Sequence, residues 1–343
     1  MRKLLYFFLL AALVIPFPSS AQKTDKVKFF EEESIIDANL EMDMKDLLGK
    51  KLKERFLPAT ITMTFTDGSN ITEKIEASAR GNMRRETCFM PGLKLNFRKD
   101  STSRLYRFKE LKLSNGCNTG DDAGQLVIKE FLAYKIYNLI TEKSLRVRLM
   151  KINFKDINGK RKPYTQFGFL IEDIDDMAKR NGMVEIEGTS YITELTNRNQ
   201  MTIVTLFEYL IGNTDWSVPS YHNIKLIGPK GDNTTRPYVV AYDFDICGLV
   251  DPPYATIDPQ LESQISSVRE RLNRGFPRTM EELKEVIKIF NDKKEQLFNL
   301  VKNNEYLSPK VKSSTISYIE DFYKTINDER DVKRIFVEGG RQN

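Results

Sequence analysis

The chain has 343 residues, and its 53 Lys and Arg against 48 Asp and Glu leave a formal net charge of +5. That mild and well-mixed balance supplies no basic patch for nucleic acid. One histidine and three cysteines exclude multi-histidine zinc sites and a disulfide-dense scaffold.

Arg2 and Lys3 precede an apolar run from Leu4 to Phe17, and Ser19-Ser20-Ala21 follows it. This is the pattern of a secretory signal peptide over residues 1–21, cut after Ala21. The run falls short of the ~20 apolar residues a membrane span needs, and no later segment approaches that length. The expected mature protein is exported, to the periplasm, the surface or the medium, with no integral membrane segment after cleavage. It is long enough for one large domain or two ordinary ones.

Residues 23–57 are charged, with Leu40, Met42, Met44, Leu47 and Leu48 suggesting short strand or helix pieces. From Ala59 the signal sharpens. Ile61, Met63 and Phe65 alternate with threonines, Asp67-Gly68-Ser69-Asn70 makes a turn, and Ile71 to Ala79 runs back. After Arg80-Gly81-Asn82, Leu93, Leu95 and Phe97 face one way and Lys94, Asn96 and Arg98 the other. Leu111-Lys112-Leu113 repeats that pattern. A helix is predicted over Ala123 to Ile140, with Ile128, Phe131, Leu132, Ile136, Leu139 and Ile140 as its apolar stripe and Glu130 on a flank. Strands follow at Val147–Phe154 and Tyr164–Ile171, leading into Glu172-Asp173.

Beyond Asp176 the chain turns helical. Met201, Val204, Phe207, Leu210 and Ile211 mark a helix that runs into Gly212-Asn213-Thr214-Asp215. Two apolar strands around the turn Gly228-Pro229-Lys230-Gly231 make a hairpin, and long charged helices are expected at about 280–303 and 308–327. Closing the hairpin brings Asp215 and Asn223, on the approach to its first strand, near Asp243 and Asp245, at the exit of its second. Oxygen donors so gathered suit magnesium or manganese beside phosphates. Each of the four is equally a loop residue that hydrogen-bonds to local backbone. Cys88 and Cys117 flank adjacent strands and can pair or stay free, since spacing alone does not fix geometry. Cys247 reads as a buried apolar residue, His222 and Trp216 as structural residues of the loop. The Arg269-Glu270-Arg271 run with Arg274 reads as a solvated helix face or an anion contact.

These blocks together resemble the CotH kinase-like family of secreted and spore-coat proteins, in an uncharacterised Gram-negative branch. The resemblance spans roughly residues 60–250. It rests on Arg80-Gly81-Asn82, the Leu93–Phe97 strand, Glu130-Phe131-Leu132-Ala133-Tyr134, Phe167 to Asp173, Gly212 to Asp215 with Asn223, and Tyr242-Asp243-Phe244-Asp245. It implies an α+β, two-lobed, atypical protein-kinase-like fold. Residues 22–172 would form a β-rich N-lobe with one helix, and 173–343 an α-rich C-lobe holding the acidic hairpin 212–248. It also implies an ATP- and Mg- or Mn-dependent phosphotransferase acting on a protein, glycan or small-molecule hydroxyl. Lys94, partnered by Glu130, would touch the phosphates; Glu172 would mark the hinge where adenine meets backbone. Asp215 would orient the acceptor, and Asn223 with Asp243 or Asp245 would hold the ion. The step from Asp215 to Asn223 is longer than in the usual kinase loop. A non-catalytic envelope or surface binding module is the alternative.

Overall fold

The computed structural model describes residues 26–98, 104–187, 191–232 and 234–341. The expected signal peptide lies outside them. After α1 (Lys26–Glu31) the first half holds β1 (Ile36–Met42), α2 (Met44–Gly49), β2 (Leu57–Thr64), β3 (Asn70–Arg80), α3 (Asn82–Thr87), β4 (Gly92–Phe97) and β5 (Glu110–Asn115). Next come α4 (Asp121–Ile140), β6 (Val147–Asp156) and β7 (Tyr164–Ile171).

These strands close on themselves in the order β1-β2-β3-β4-β5-β7-β6. Neighbours pair antiparallel except β6 and β1, which run parallel from Ile36 opposite Met150 to Met42 opposite Asp156. A seven-stranded closed mixed barrel replaces the expected two-lobed kinase-like plan. The reason lies in β1. Ile36, Ala38, Leu40 and Met42 alternate inward, so the segment is a full strand with two partners, and pairing on both edges removes the free edge of the sheet. Leu40, Ile61, Ile75, Leu95, Leu113, Ile152 and Leu170 belong to one buried cluster that fills the barrel, so its interior offers no ligand space.

Chemistry is therefore confined to the outside. Ser78 pairs with Lys94, Lys94 with Lys112, Lys112 with Ile171 and Ile171 with Val147. Because side chains alternate along a strand, this row, with Arg80 two residues on from Ser78, lies on the outer face. Leu149 and Phe169 join Leu132 and Ile136 of α4 in a second core that also holds Phe207, Phe244, Phe290 and Phe322.

The second half continues with α5 (Ile174–Arg180), β8 (Val184–Glu185), α6 (Arg198–Ile211), β9 (Ile224–Gly228), β10 (Tyr238–Ala241), α7 (Met280–Lys302) and α8 (Pro309–Ile326). The sheet order is β10-β9-β8, and Ile224 stands opposite Ala241 in the hairpin. Helix starts are capped: Asn197 accepts from the Gln200 amide, and Thr279 and Glu282 form a reciprocal capping box. Arg269 to Arg274 is not helical. Arg271 lies 3.8 Å from the Tyr318 ring centroid and donates to the Leu210 carbonyl at 3.1 Å. Among the described residues no helix is long and apolar enough to cross a membrane.

Candidate functional site

Helix α6 ends on Gly212, whose φ of +66° closes the last turn in the left-handed region. A Cβ there would stand 2.1 Å from the Tyr318 hydroxyl oxygen, so glycine is required twice over. The chain then folds back tightly: the Ser217 amide donates to the His222 carbonyl at 2.9 Å and the His222 amide to the Ser217 carbonyl at 3.0 Å. This inner loop brings Asn223 back to Asp215. The Asn223 Nδ2 donates to the Asp215 carbonyl at 2.8 Å and to its Oδ2 at 3.1 Å, and His222 Nε2 lies 2.7 Å from Oδ1.

The other end of the hairpin is tied to the same place. The Tyr242 amide donates to the Asn223 carbonyl at 3.1 Å, and the Gly248 amide to the Gly212 carbonyl at 3.1 Å. Asn223 and Asp243 both hold left-handed backbone, with φ of 52° and 66°. Such conformations in non-glycine residues persist where surrounding structure enforces them, often at functional sites. Between Asp243 and Asp245, Phe244 is wholly buried against Tyr134 and Phe207, at ring-centroid distances of 4.5 and 5.2 Å. That anchor sends the two carboxylates to either side of it. The Asp243 amide donates to the Tyr134 hydroxyl at 2.9 Å.

Asp243 opens into a cleft between the outer barrel face and the small sheet. Arg80, Lys112 and Lys225 line it with Glu110, Glu172 and Asp173, and Leu145, Ile171, Ile174, Tyr134 and Tyr242 complete the wall. Gly92 makes room for Arg80, since a Cβ there would lie 3.3 Å from the Arg80 Cγ and Nε. The buried Arg80 Nε has no hydrogen-bond partner within the protein. Burial, reinforced by the nearby Arg80, lowers the Lys112 pKa, while Asp243 works in the opposite direction. The Lys112 ammonium also sits 5.2 Å from the Tyr242 ring centroid. The enclosed space is about 90 Å³, well below the ~300 Å³ at the lower end of drug-sized pockets. It suits a phosphate-sized group.

Asp245 points to the other side, into a buried polar seam. Arg84 of α3 places Nη1 3.7 Å from Asp245 Oδ2 and 3.4 Å from Ser114 Oγ, and its Nη2 donates to the Asn115 carbonyl. Ser114 donates to Glu130 Oε2 at 2.8 Å. Burial, with Asp245 adding to it, pushes the Glu130 carboxyl up to about 8. Burial and then Asp243 push Asp245 up to about 6, against the pull of Arg84.

Of the residues singled out from sequence, Asp215 and Asn223 are hydrogen-bonded to each other, a backbone bond ties Asn223 to Tyr242 beside Asp243, and Asp245 stands with Arg84 and Glu130 in the seam. Lys94 stands apart. Its Nζ binds Glu54 Oε1 at 3.1 Å, lies 4.0 Å from Glu110 Oε1, and does not line the cleft. Glu172 lines the cleft but is held by Arg180 at 3.0 Å and by the Arg146 amide at 2.9 Å. Cys88 and Cys117 are joined in a disulfide, and Cys247 is free and buried. No family model matches the chain, and neither does any curated protein sequence.

Sequence reading missed Lys112, Arg84 and Lys225. A usable signal existed for Lys112, which alternates outward on the strand directly before the long helix carrying Glu130. Arg84 gave none, because its partners arrive from residues 31 and 161 positions further along the chain, at Asn115 and Asp245. A larger cavity of about 880 Å³ opens between the start of α4, β7 and α8. Its lining mixes cations with anions and includes none of the four hairpin groups.

Among the described residues no three His, Cys, Asp or Glu side chains converge as a metal-binding group. The donors fit a different arrangement: magnesium commonly takes one or two carboxylates and completes its shell with water and substrate phosphates. Asp243, which lines the cleft, and the Asn223 carboxamide oxygen are the groups that would hold such an ion, whereas Asp245 faces Arg84 in the buried seam.

Proposed function

We propose that this protein binds a phosphate-bearing ligand in the cleft beside Asp243, and that it is an exported phosphotransferase of the CotH-like type, using ATP with Mg or Mn. The observation that carries the reading is the meeting of Lys112, Arg80 and Lys225 with Asp243 in one small cleft, with Arg80 Nε unpartnered. Lys112, rather than Lys94, is assigned to the phosphates. Phosphoryl transfer needs charge neutralisation and alignment more than covalent help, and cations of this kind supply the first. A bound divalent ion would add further neutralisation of the phosphate charge. Asp215, locked by Asn223 and His222, supplies a fixed carboxylate to which an acceptor hydroxyl can donate. Given the cleft's size, a nucleotide would bury one phosphate and leave the rest of the molecule along the Ile171–Ile174 rim. The disulfide supports an oxidising compartment.

One observation favours a non-catalytic binding module instead: both Asp215 carboxylate oxygens already have partners. Calorimetry with magnesium-ATP, followed by incubation with manganese and labelled ATP, separates the readings. Binding and phosphate incorporation that Asp243→Ala removes without unfolding support the transferase. Binding without transfer to any acceptor supports the module, and absence of binding to ATP and to pyrophosphate ends the phosphate-ligand reading and leaves the module.

A further inference from the structure

We infer that Arg84 is a positioning residue of this site and that the Cys88–Cys117 disulfide holds it in place, so that ligand binding in the cleft depends on the redox state of that pair. The inference rests on the cleft being a phosphate-ligand site.

Helix α3 has six residues, and its N-cap, Gly81, makes no side-chain capping bond. A helix this short has no stability of its own, so whatever fixes its ends fixes Arg84. The far end is Cys88, directly after Thr87, whose amide donates to the Arg84 carbonyl at 3.1 Å. The disulfide joins it to Cys117, two residues past Asn115, whose carbonyl accepts from Arg84. Two further bonds stitch the same segments. The Met90 amide donates to the Cys117 carbonyl at 3.0 Å, and Asn115 Nδ2 donates to the Pro91 carbonyl at 3.1 Å. Cys88 and Cys117 are both buried. The covalent link thus spans the strand that presents Ser114 and the helix that presents Arg84.

What Arg84 does there follows from charge. Its guanidinium faces Asp245 and touches Ser114, which in turn donates to Glu130. Removing this cation from a buried seam leaves the Asp245 carboxylate without its counter-charge, and buried unpaired charge is costly. The Asp245 segment is joined through Phe244 to Asp243, the carboxylate of the cleft. Displacing Arg84 therefore disturbs the cleft without touching its ligand.

The switch is a thiol–disulfide exchange. A dithiol reductant gives two electrons and two protons to the pair; the S–S bond breaks, both cysteines become thiols, and the dithiol is oxidised to its own disulfide. Freed of the link, α3 can move and Arg84 leaves Asp245.

The test compares the oxidised protein, the same protein after dithiothreitol, Arg84→Gln, and Arg84→Gln after dithiothreitol. Affinity for magnesium-ATP and for pyrophosphate is read by calorimetry well below the melting temperature. Reduction and Arg84→Gln should each weaken binding about tenfold, in the usual range of coupling between sites, and their effects should not add. A purely structural staple would lower the melting temperature of all forms and leave affinity alone, and that result overturns the inference. Full additivity also overturns it. Amide hydrogen exchange across residues 243–247 supplies a ligand-free readout: protection there must fall on reduction in the native sequence and not fall further in Arg84→Gln. If neither probe binds the oxidised protein, the phosphate reading fails, and the exchange result alone decides whether disulfide and site are coupled. The double variant Cys88→Ser with Cys117→Ser, if it folds, must behave as the reduced protein does.

Discussion

Arg84 Nη1 and Asp245 Oδ2 face each other at 3.7 Å, with each side chain only 10% exposed. Burial works to lower the arginine's pKa, but Asp245 and the neighbouring acidic groups outweigh it and the net shift is upward. The cation belongs where it is because the carboxylates are there. Breaking such a pair from one side leaves an uncompensated buried charge. Arg84→Met should therefore destabilise the fold by about 3–5 kcal/mol, while Arg84→Met combined with Asp245→Leu should recover much of that loss. Denaturant unfolding of the three proteins checks it.

Lys112 and Lys94 make an internal control, since they stand opposite each other on neighbouring strands. Lys112→Met should cost about 2 kcal/mol of binding energy for pyrophosphate or magnesium-ATP, the size of a hydrogen bond to a charged group. Lys94→Met should leave binding unchanged. It should alter stability by no more than ~1 kcal/mol, because its ion pair with Glu54 is at the surface. Equal losses in calorimetry for the two variants would refute the assignment.

Glu208 is buried in α6, where the Asn213 side chain is the polar group that faces its carboxylate and opposes the effect of burial. Burial raises its pKa well above the ordinary 4.5, with the charge of Asp215 adding to the effect. The folded protein thus holds this proton more tightly than the unfolded chain. This contribution to stability is complete below the unfolded pKa and is lost as pH rises toward the folded value. Glu208→Gln should flatten the fall of melting temperature as pH rises above the ordinary 4.5. A variant with the same pH slope as the native protein would contradict it.

Phe244 carries the two acidic groups of the hairpin exit on either side of it. Phe244→Ala should cost about 3–5 kcal/mol, as for other buried aromatics. Phe244→Leu should retain most of the stability yet weaken ligand binding, because Asp243 and Asp245 would lose their fixed orientation. Paired melting and binding curves separate the two effects.

The Cys88–Cys117 link closes a 29-residue separation, for which chain entropy gives about 3–4 kcal/mol of stabilisation. Unfolding in denaturant with and without a reductant measures it, and a loss under ~1 kcal/mol would show that the reduced unfolded chain is already restrained.

Local pattern in the amino-acid sequence determined most of the elements: the long helix with Glu130, the strands before and after it, the two C-terminal helices, and the hairpin flanked by Asp215 and Asn223 on one side and Asp243 and Asp245 on the other. Each of these depends on side-chain alternation, helical spacing or turn chemistry within a few residues. Barrel closure was decided only in three dimensions. It needs β1 to meet β6 across more than a hundred residues, and nothing in Ile36–Met42 names its partner. The choice between Lys94 and Lys112 was also tertiary, since both alternate outward in the same way and differ only in what packs above them. For Arg84, burial beside Asp245 follows from a disulfide and a loop crossing, and hydrophobic periodicity carries no trace of either.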